Sequence, residues 1–338
     1  MQQKKQGVEL YRFIMTIIIC LHHFRLYAES VLPYGGGYLA VDFFFFLSGF
    51  FLYEHSQKCS AHNMPEALRE TAKYTMQRYK RLFPQYLLIL IISILIYGCV
   101  MNVGQNISLS GAFISKLLML DGIYVHSQLN IMPQGWYCSS LLFGSALIYY
   151  LCIRYKQNFV KKLAPFIVIG IYTMFFFKYG NLNLYTQYGF IITVGCLRGI
   201  AGLCAGCIIN NLIRNQTIVY QKSKWISITL LGFLTVFLLY ALLWRKGYSR
   251  SDFIVLIVLA VVLYCLLSDD NICSALDKPI FGQLGKISYM MFLVHHLIAV
   301  IFDYFDWFRN SDWKIASLMY LGVVCICSCL LCVRPKRV

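Results

Sequence analysis

Charged residues are scarce in this sequence of 338 residues. They make up 13% of the chain, hydrophobic residues make up 59%, and the mean hydropathy is +0.64. A soluble domain of this length cannot bury so much apolar surface, so the composition excludes a water-soluble protein. Long apolar runs recur from Tyr11 almost to the C-terminus, and each must form a helix because lipid cannot satisfy backbone hydrogen bonds. The sequence therefore predicts an all-α, polytopic transmembrane helix bundle.

Three further absences narrow the class of protein. No internal repeat is visible, which weighs against transporter folds built from duplicated halves. The 14 cysteines lie mostly within apolar runs and lack the spacing of metal ligands or paired extracellular cysteines, so we expect no metal site. The longest polar connections, near residues 56–81 and 103–135, are too short for a domain with its own core. We expect residues 1–338 to form a single membrane domain.

Hydropathy places about ten spans along the chain. The first span carries charged and imidazole side chains, which is wrong for a cleavable signal peptide, so we expect it to be retained. The predicted spans lie near residues 10–27, 38–55, 82–102, 136–153, 163–179, 188–212, 225–244, 252–268, 285–302 and 315–333.

The basic residues give an independent test of this count. With the N-terminus inside, twenty Lys and Arg residues fall in inner segments and seven in outer ones, which predicts ten spans with both termini cytoplasmic in the cell (inner or plasma) membrane. The exception is the outer segment WRKGYSRSD, where Arg245, Lys246 and Arg250 break the pattern. Because the net charge of +16 sits mainly in short connections, we assign it to anionic lipid headgroups and expect no nucleic-acid partner.

The first span carries two polar residues on one face. Arg12 and His23 are eleven residues apart, which is three helical turns plus about 20°. Their separation along the axis is about 16 Å, so we expect them to contact two parts of a long ligand. The alternatives are that Arg12 reaches the inner headgroups and His23 the outer interface. His22 points about 100° away from this face.

Asp42 is the one acid within the apolar part of the second span and lies near its outer end. Because the first two spans run in opposite directions, Asp42 and His23 fall at similar depth. An Asp beside a His fixes its tautomer and stabilises the imidazolium that forms when a hydroxyl is deprotonated. We therefore expect a catalytic pair, with a buried Asp42 bonded to backbone or tyrosine hydroxyls as the alternative.

Three arginines are candidates for binding an anionic ligand. Arg78 and Arg81 are three residues apart at the inner start of the third span, so they share a helical side, and guanidinium groups suit phosphates. Anchoring at the inner membrane surface also explains such a pair. Arg198 lies near the membrane interior among small residues and requires an anion or an acid as its partner.

The segment GKISYMMFLVHH places Ser288 and Tyr289 at the inner start of the ninth span, with His295 about two turns deeper. We expect these residues to line a substrate path, although His295 is equally explained as a core histidine. Trp136 and Tyr137, at the outer start of the fourth span, are most simply interfacial anchors.

Taken in order, these segments resemble the acyltransferase-3 family of integral membrane acyltransferases. The match consists of Arg12 and His23 as the arginine, ten residues, histidine pattern, of Arg78 and Arg81 as the arginine pair, and of two longer segments, GGYLAVDFFFFLSGFFL and GKISYMMFLVH. These motifs span the whole chain. Trp136 departs from the family pattern because the acidic residue that often follows it is missing in WYCSSLLFG.

The resemblance implies ten spans, a histidine, here His23, that is essential for transfer, and acyl-CoA as cytoplasmic donor. It also implies that the acceptor is a hydroxyl of a surface or lipid-linked glycan in the cell envelope, and that no carboxyl-terminal SGNH hydrolase domain follows. We expect Arg12, Arg78, Arg81 and Arg198 to bind the donor, with acetyl-CoA as the expected one. No permanently bound cofactor is expected.

Two other functions fit the same residues. A transporter or flippase of a glycan or lipid-linked intermediate also needs Arg and His within the membrane. An inactive partner in an envelope synthesis complex is the third reading. The sequence leaves the acyl group, the acceptor and the oligomeric state open.

Overall fold

The computed structural model describes residues 6–28, 33–61, 63–100, 111–123, 131–188, 192–215, 223–245, 247–268, 270–307 and 312–332. The described residues form an α-helical bundle. The helices are α1 (Gln6–Ala28), α2 (Ala40–Ser56, preceded by a 3-10 turn at Gly37–Leu39), α3 (Met64–Leu95), α4 (Gly111–Leu117), α5 (Gly135–Asn158), α6 (Ala164–Lys178), α7 (Val194–Arg214), α8 (Lys224–Leu239), α9 (Asp252–Ser268), α10 (Asp270–Ala275), α11 (Pro279–Tyr304) and α12 (Trp313–Leu331).

The predicted spans coincide with these helices. Eight helical stretches in the described part of the chain are long and apolar enough to cross a membrane, and Asp252–Ser268 is a shorter apolar helix. One stretch, Gly135–Lys178, contains both the fourth and the fifth predicted span. The protein is thus an all-α, multi-pass membrane protein. The count of ten stays a prediction, and the predicted cytoplasmic ends, residues 1–5 and 333–338, lie outside the described residues.

Two connections differ from the sequence-based expectation. Between α5 and α6 the chain stays helical, with a π-helical turn at Phe159–Leu163, and the direction changes at Lys156, whose φ is 48°. Helix α3 begins at Met64, well before the predicted span at 82, because Asn63 caps it: the Asn63 side chain accepts from the Glu66 amide at 2.9 Å. The arginine pair therefore lies within a long helix.

Four helices form the centre of the bundle. At least 67% of the residues in the apolar windows of α1, α2, α7 and α11 are buried, against 22% in α3 and α8. The outer helices instead expose large apolar side chains such as Phe166, Phe233 and Leu330, as helices that face lipid must. Arg12, His23, Asp42, Arg198 and His295 all lie on the four central helices.

The central helices pack as two parallel pairs. Helix α1 runs alongside α11, because Gly285 approaches Glu9 near the start of both helices and His295 approaches His23 near the end. Helix α2 runs alongside α7 in the same way, with Asp42 against Arg198 at one end and Phe50 against Asn210 at the other. Each pair therefore brings side chains at similar membrane depth together.

The α2 and α7 backbones touch at two glycines. A Cβ atom on Gly49 would lie 2.0 Å from the Leu203 carbonyl oxygen, and one on Gly206 would lie 2.0 Å from the Phe46 carbonyl oxygen. Small residues permit this approach, which is how membrane helices without a hydrophobic driving force associate. The two glycines fix the spacing on which the depth match of Asp42 and Arg198 depends.

We predict that Gly49→Ala or Gly206→Ala lowers the yield of folded protein, because the added methyl group meets backbone rather than a movable side chain. The overpacking should cost about 1–3 kcal/mol or more. Gly232→Ala on α8 is the matched control, since a Cβ there meets nothing within 4 Å. Size-exclusion chromatography of detergent-solubilised fusions measures the yield; equal yields for Gly206→Ala and Gly232→Ala would contradict the close packing.

Candidate active site

Four histidines gather where the C-terminal halves of α1 and α11 meet. The ring of His23 lies 4.7 Å from that of His295, 6.0 Å from that of His296 and 5.6 Å from that of His22, centroid to centroid. His22, His295 and His296 are buried, whereas His23 is partly exposed. The structure therefore brings two predicted site residues, His23 and His295, together and adds His296 and His22 to them.

Hydrogen bonds hold three of these rings. The carbonyl of Tyr34 accepts from Nδ1 of His22 at 3.0 Å, and the carbonyl of Phe292 lies 2.6 Å from Nδ1 of His295. Nε2 of His296 lies 2.8 Å from the hydroxyl of Tyr27. Among the described residues, His23 has ring contacts but no such hydrogen bond. Its nitrogens are therefore free for a substrate.

Asp42 contacts Arg198 and not His23, which corrects the predicted catalytic pair. Oδ2 of Asp42 lies 2.5 Å from Nη2 of Arg198, and Oδ1 lies 3.1 Å from Nε. Both side chains are almost completely buried, at 0% and 2% exposure. Depth alone had placed Asp42 level with His23, but the parallel packing of α2 on α7 turns the carboxylate towards the guanidinium.

Arg198 is likewise committed to the protein, which corrects its assignment to donor binding. Besides Asp42, its guanidinium donates to the carbonyl of Leu182 at 3.0 Å and to that of Tyr38 at 2.8 Å. All three nitrogens of the guanidinium are engaged. The acid that the sequence required near Arg198 is Asp42, and the buried pair joins α2, α7 and the segment before α7.

A second ion pair continues this network and explains the basic outer segment. Arg245 lies 2.7 Å from Asp252, and Asp252 also accepts from the hydroxyl of Tyr38 and from the amide of Leu182. Arg245 therefore compensates a buried carboxylate. Arg245 of the segment WRKGYSRSD thus has a structural partner within the bundle.

At the opposite end of the central bundle, Arg12 and Arg78 converge. Arg12 is paired with Glu9 at 2.9 Å and keeps 29% of its side chain exposed, and Arg78 donates to the Tyr74 hydroxyl at 2.9 Å. Both arginines and Ser48 lie near the phenol of Tyr137. Arg81 is exposed. Two of the predicted donor-binding arginines thus face one region, between α1, α3 and α5.

Tyr137 links the two ends of the site. It is buried, so the prediction that it anchors the membrane interface is wrong. Its ring lies 5.1 Å from that of Phe292, which in turn lies 5.7 Å from the ring of His295. Its neighbour Trp136 stacks on Tyr185 at 5.3 Å. The sequence did not predict that Tyr137 lies in the site, because aromatic residues at the end of a span are also typical of interfacial anchors.

Ser288 and Tyr289 are not brought into the histidine cluster. The buried Ser288 hydroxyl lies 3.4 Å from the carbonyl of Leu284 in its own helix, and the Tyr289 hydroxyl donates to the carbonyl of Leu82 on α3 at 3.2 Å. Both hydroxyls therefore satisfy backbone carbonyls. The expectation that they line the substrate path gives way to helix packing between α11 and α3.

Part of the long connection before α5 is buried beside the histidines. Lys116 is buried and lies 3.3 Å from Asp121, and burial raises the pKa of Asp121 even though Lys116 favours the carboxylate. Gln134, at the start of α5, donates to the carbonyl of Leu293 on α11 at 2.7 Å, and its own side-chain oxygen is buried without a hydrogen-bond partner. The charge of Lys116 reaches His296. These polar residues were not predicted to lie beside the site, because the connection that contains them carries no motif.

A cavity of about 350 Å³ lies at the junction of α2, α3 and α5. Its lining includes Lys58, Arg69, His55 and Tyr149. The Tyr149 hydroxyl hydrogen-bonds to His55 at 3.0 Å, and its ring stacks on that of Tyr74 at 4.1 Å. Because Tyr74 accepts from Arg78, the cavity adjoins the arginine end of the site.

Comparison with known proteins supports one class of activity. A family model described as an acyltransferase domain matches residues 5–333, nearly the whole chain. No curated protein and no solved structure shows a significant match to the chain.

Proposed function

Because the chain belongs to the acyltransferase-3 family, we propose that it is a membrane O-acyltransferase that uses cytoplasmic acyl-CoA, with acetyl-CoA as the expected donor. The acceptor is a hydroxyl of a surface or lipid-linked glycan, and the membrane is the inner or plasma membrane of the cell. Family membership gives the transfer of an acyl group. The donor, the acceptor and the direction across the bilayer are the proposal.

One observation carries this proposal: helix α1 has an arginine site at one end and a histidine site at the other. Arg12 and His23 are about 16 Å apart along α1. At one end, guanidinium groups from α1 and α3 lie near the same buried tyrosine, and at the other end His23 is partly exposed among buried histidines. Acyl-CoA matches this arrangement, because it carries phosphates at one end and a thioester at the other, joined by the extended pantetheine arm.

The donor reaches the arginines from the side that carries most basic residues. The cavity beside Tyr74 and Tyr149 supports this route by its position, because it adjoins Arg78. Its lining pairs Lys58 and Arg69 with Glu66 and Glu70, so we assign phosphate binding to Arg12 and Arg78 rather than to the cavity itself. Arginine and lysine side chains favour the phosphates of the donor. The acyl end then extends along Tyr137 and Phe292 towards His23.

At the histidine end, His23 acts as the general base. It accepts the proton of the acceptor hydroxyl while the oxygen attacks the thioester carbonyl, so that a C–O bond forms and the C–S bond breaks. The released thiolate takes the proton from the His23 imidazolium. The products are an O-acyl ester and free CoA. In the alternative, the His23 nitrogen attacks the thioester, so that a C–N bond forms and the C–S bond breaks, and the acceptor hydroxyl then displaces the nitrogen, so that the C–O bond forms, the C–N bond breaks and the hydroxyl proton passes to the thiolate. Acid-quench trapping of an acyl-protein distinguishes the two.

Arg78 gives a direct test of donor binding. We predict that Arg78→Gln raises KM for acetyl-CoA about tenfold with little change in kcat, because one charge-assisted hydrogen bond to phosphate is worth about 1.5–3 kcal/mol. Lys80→Gln is the control, since Lys80 is exposed and lies two residues along the helix, about 200° around its axis.

Acetyl-pantetheine, which lacks the nucleotide phosphates, isolates the cause of the Arg78 effect. The variant and the wild type should use it with the same KM. An equal rise in KM for both donors would show that Arg78 shapes the protein rather than binding phosphate.

Transport is the rival function, which intramembrane charges such as that of Arg198 suggested. In the structure, Arg198 has its partners within the protein. Arg198 is saturated by Asp42 and two carbonyls, which leaves no free charge there for a translocated ligand. Labelled acetyl-CoA separates the two functions. Acyl transfer to a glycan supports the enzyme, whereas glycan movement without acyl consumption supports the transporter.

A further inference from the structure

His295 is the ring nearest to His23 in the histidine cluster. The two imidazoles are 4.7 Å apart with their planes tilted by 57°, whereas His22 and His296 lie farther from His23. His295 is completely buried, at 0% exposure. The position that Asp42 was expected to take beside His23 is therefore taken by a second imidazole.

Hydrogen bonding fixes which nitrogen of His295 carries the proton. Nδ1 lies 2.6 Å from the carbonyl oxygen of Phe292, and a carbonyl can only accept, so Nδ1 is the N–H donor. In the neutral ring, Nε2 is then an acceptor. Among the described residues it has no hydrogen-bond partner, although it is buried. A buried acceptor without a donor is costly unless a group in the site supplies one.

The backbone around His295 is also held in place. Its carbonyl accepts from the hydroxyl of the buried Tyr320 on α12 at 3.0 Å. The side chain is thus oriented by Phe292 and the main chain by Tyr320. The orphan Nε2 thus belongs to the ring nearest to His23, and that ring is held by rigid surroundings, which is what an orienting group requires.

We propose that His295 is a positioning residue for His23, whose ring N–H donates to Nε2 of His295 during the reaction. This inference rests on the proposed acyl transfer and deepens it. The bond holds His23 in the tautomer whose other nitrogen carries a lone pair towards the acceptor hydroxyl. That nitrogen takes the hydroxyl proton as the C–O bond forms and returns it to the departing thiolate as the C–S bond breaks, so His295 gains and loses no proton.

Two substitutions of His295 separate positioning from packing, because each keeps the hydrogen-bonding role of one ring nitrogen and removes that of the other. In His295→Asn the side-chain NH2 takes the place of Nδ1–H and still donates to Phe292, but nothing replaces Nε2. In His295→Gln the side-chain oxygen takes the place of Nε2 and still accepts from His23. Asparagine therefore preserves the structural hydrogen bond, and glutamine preserves the proposed one.

We expect His295→Gln to keep kcat within about threefold of wild type and His295→Asn to lose about 10- to 100-fold, the range typical of removing a group that orients a functional histidine. KM for acetyl-CoA should stay unchanged in both, since neither touches the arginine end. Ser328→Ala on α12 is the control: it removes a buried hydroxyl that donates to the Val324 carbonyl in its own helix at 2.6 Å, and kcat per folded molecule should stay at the wild-type value.

The measurement is acetyl transfer from labelled acetyl-CoA in membranes, normalised to folded protein. Full activity of His295→Asn, or an equal loss in both variants, would overturn the positioning role and leave a core histidine. If His295→Asn does not fold, His295→Ala replaces it, because alanine also removes Nε2. In the His23→Ala background, removing Nε2 should cost nothing further; an additional loss would show that His295 acts independently of His23.

The activity of the wild-type protein distinguishes a failure of the proposed function from a failure of the proposed role of His295. A wild type that consumes no acetyl-CoA contradicts the proposed function itself. A wild type that transfers acetyl groups, together with His295→Asn at the wild-type rate, contradicts only the role of His295.

Discussion

His23→Ala is expected to abolish acyl transfer while the protein is made and inserted normally. Removing a general base costs about 10²–10⁴ in rate, and His22, His295 and His296 do not replace it, because all three are buried whereas His23 is partly exposed. KM for acetyl-CoA should change little, since the phosphates are bound about 16 Å away. Ester formation from labelled acetyl-CoA, normalised to folded protein, measures the loss.

The control for His23 is its neighbour. His22→Asn places an amide NH2 where Nδ1 of His22 donates to the carbonyl of Tyr34, so the local structure should persist. It should retain most of the activity, because the ring of His22 points away from the face shared by Arg12 and His23. An active, normally inserted His23→Ala protein would contradict the proposed chemistry.

Asp42→Ala is expected to destabilise the protein by about 3–5 kcal/mol, because it leaves the charge of Arg198 buried without its acid. Arg198→Ala should cost a similar amount and also releases two carbonyls. The double variant Asp42→Leu/Arg198→Met should recover part of the loss, since it removes both buried charges. Thermal unfolding in detergent, followed by the loss of monodisperse protein, gives the order of stabilities.

The same variants decide between a structural and a catalytic Asp42. Asp42→Asn keeps one side-chain oxygen for Arg198, and its folded fraction should transfer acetyl groups at close to the wild-type rate. If Asp42→Ala is as stable as wild type and its kcat falls as far as that of His23→Ala, the structural role of Asp42 is contradicted and Asp42 acts as the catalytic partner of His23.

The spans followed from the sequence because the bilayer permits few solutions. A long apolar run must be helical, so hydropathy located the helices even where their connections were misjudged. The shared face of Arg12 and His23 followed from helical period alone. Local geometry within one helix was therefore predictable.

Contacts between helices were not predictable in the same way. Depth placed Asp42 level with His23 and placed Arg198 only near the membrane interior, and the direction in which each side chain points was not available from the sequence. The glycines at 49 and 206, which let α2 lie against α7, were the signal that favoured Arg198. The burial of Tyr137 was not predicted for a related reason, because it depends on contacts with α2 and α11 and not on its own span.

The most direct test uses inside-out membrane vesicles from cells that produce wild-type protein or His23→Ala in equal amounts. Radiolabelled acetyl-CoA is added to the exposed cytoplasmic face, and the label is followed into glycan material and released with mild alkali. We predict alkali-labile acetyl ester in the wild-type vesicles and none above background with His23→Ala. Equal labelling in both, or no labelling in either while glycan is moved across the membrane, would contradict the account.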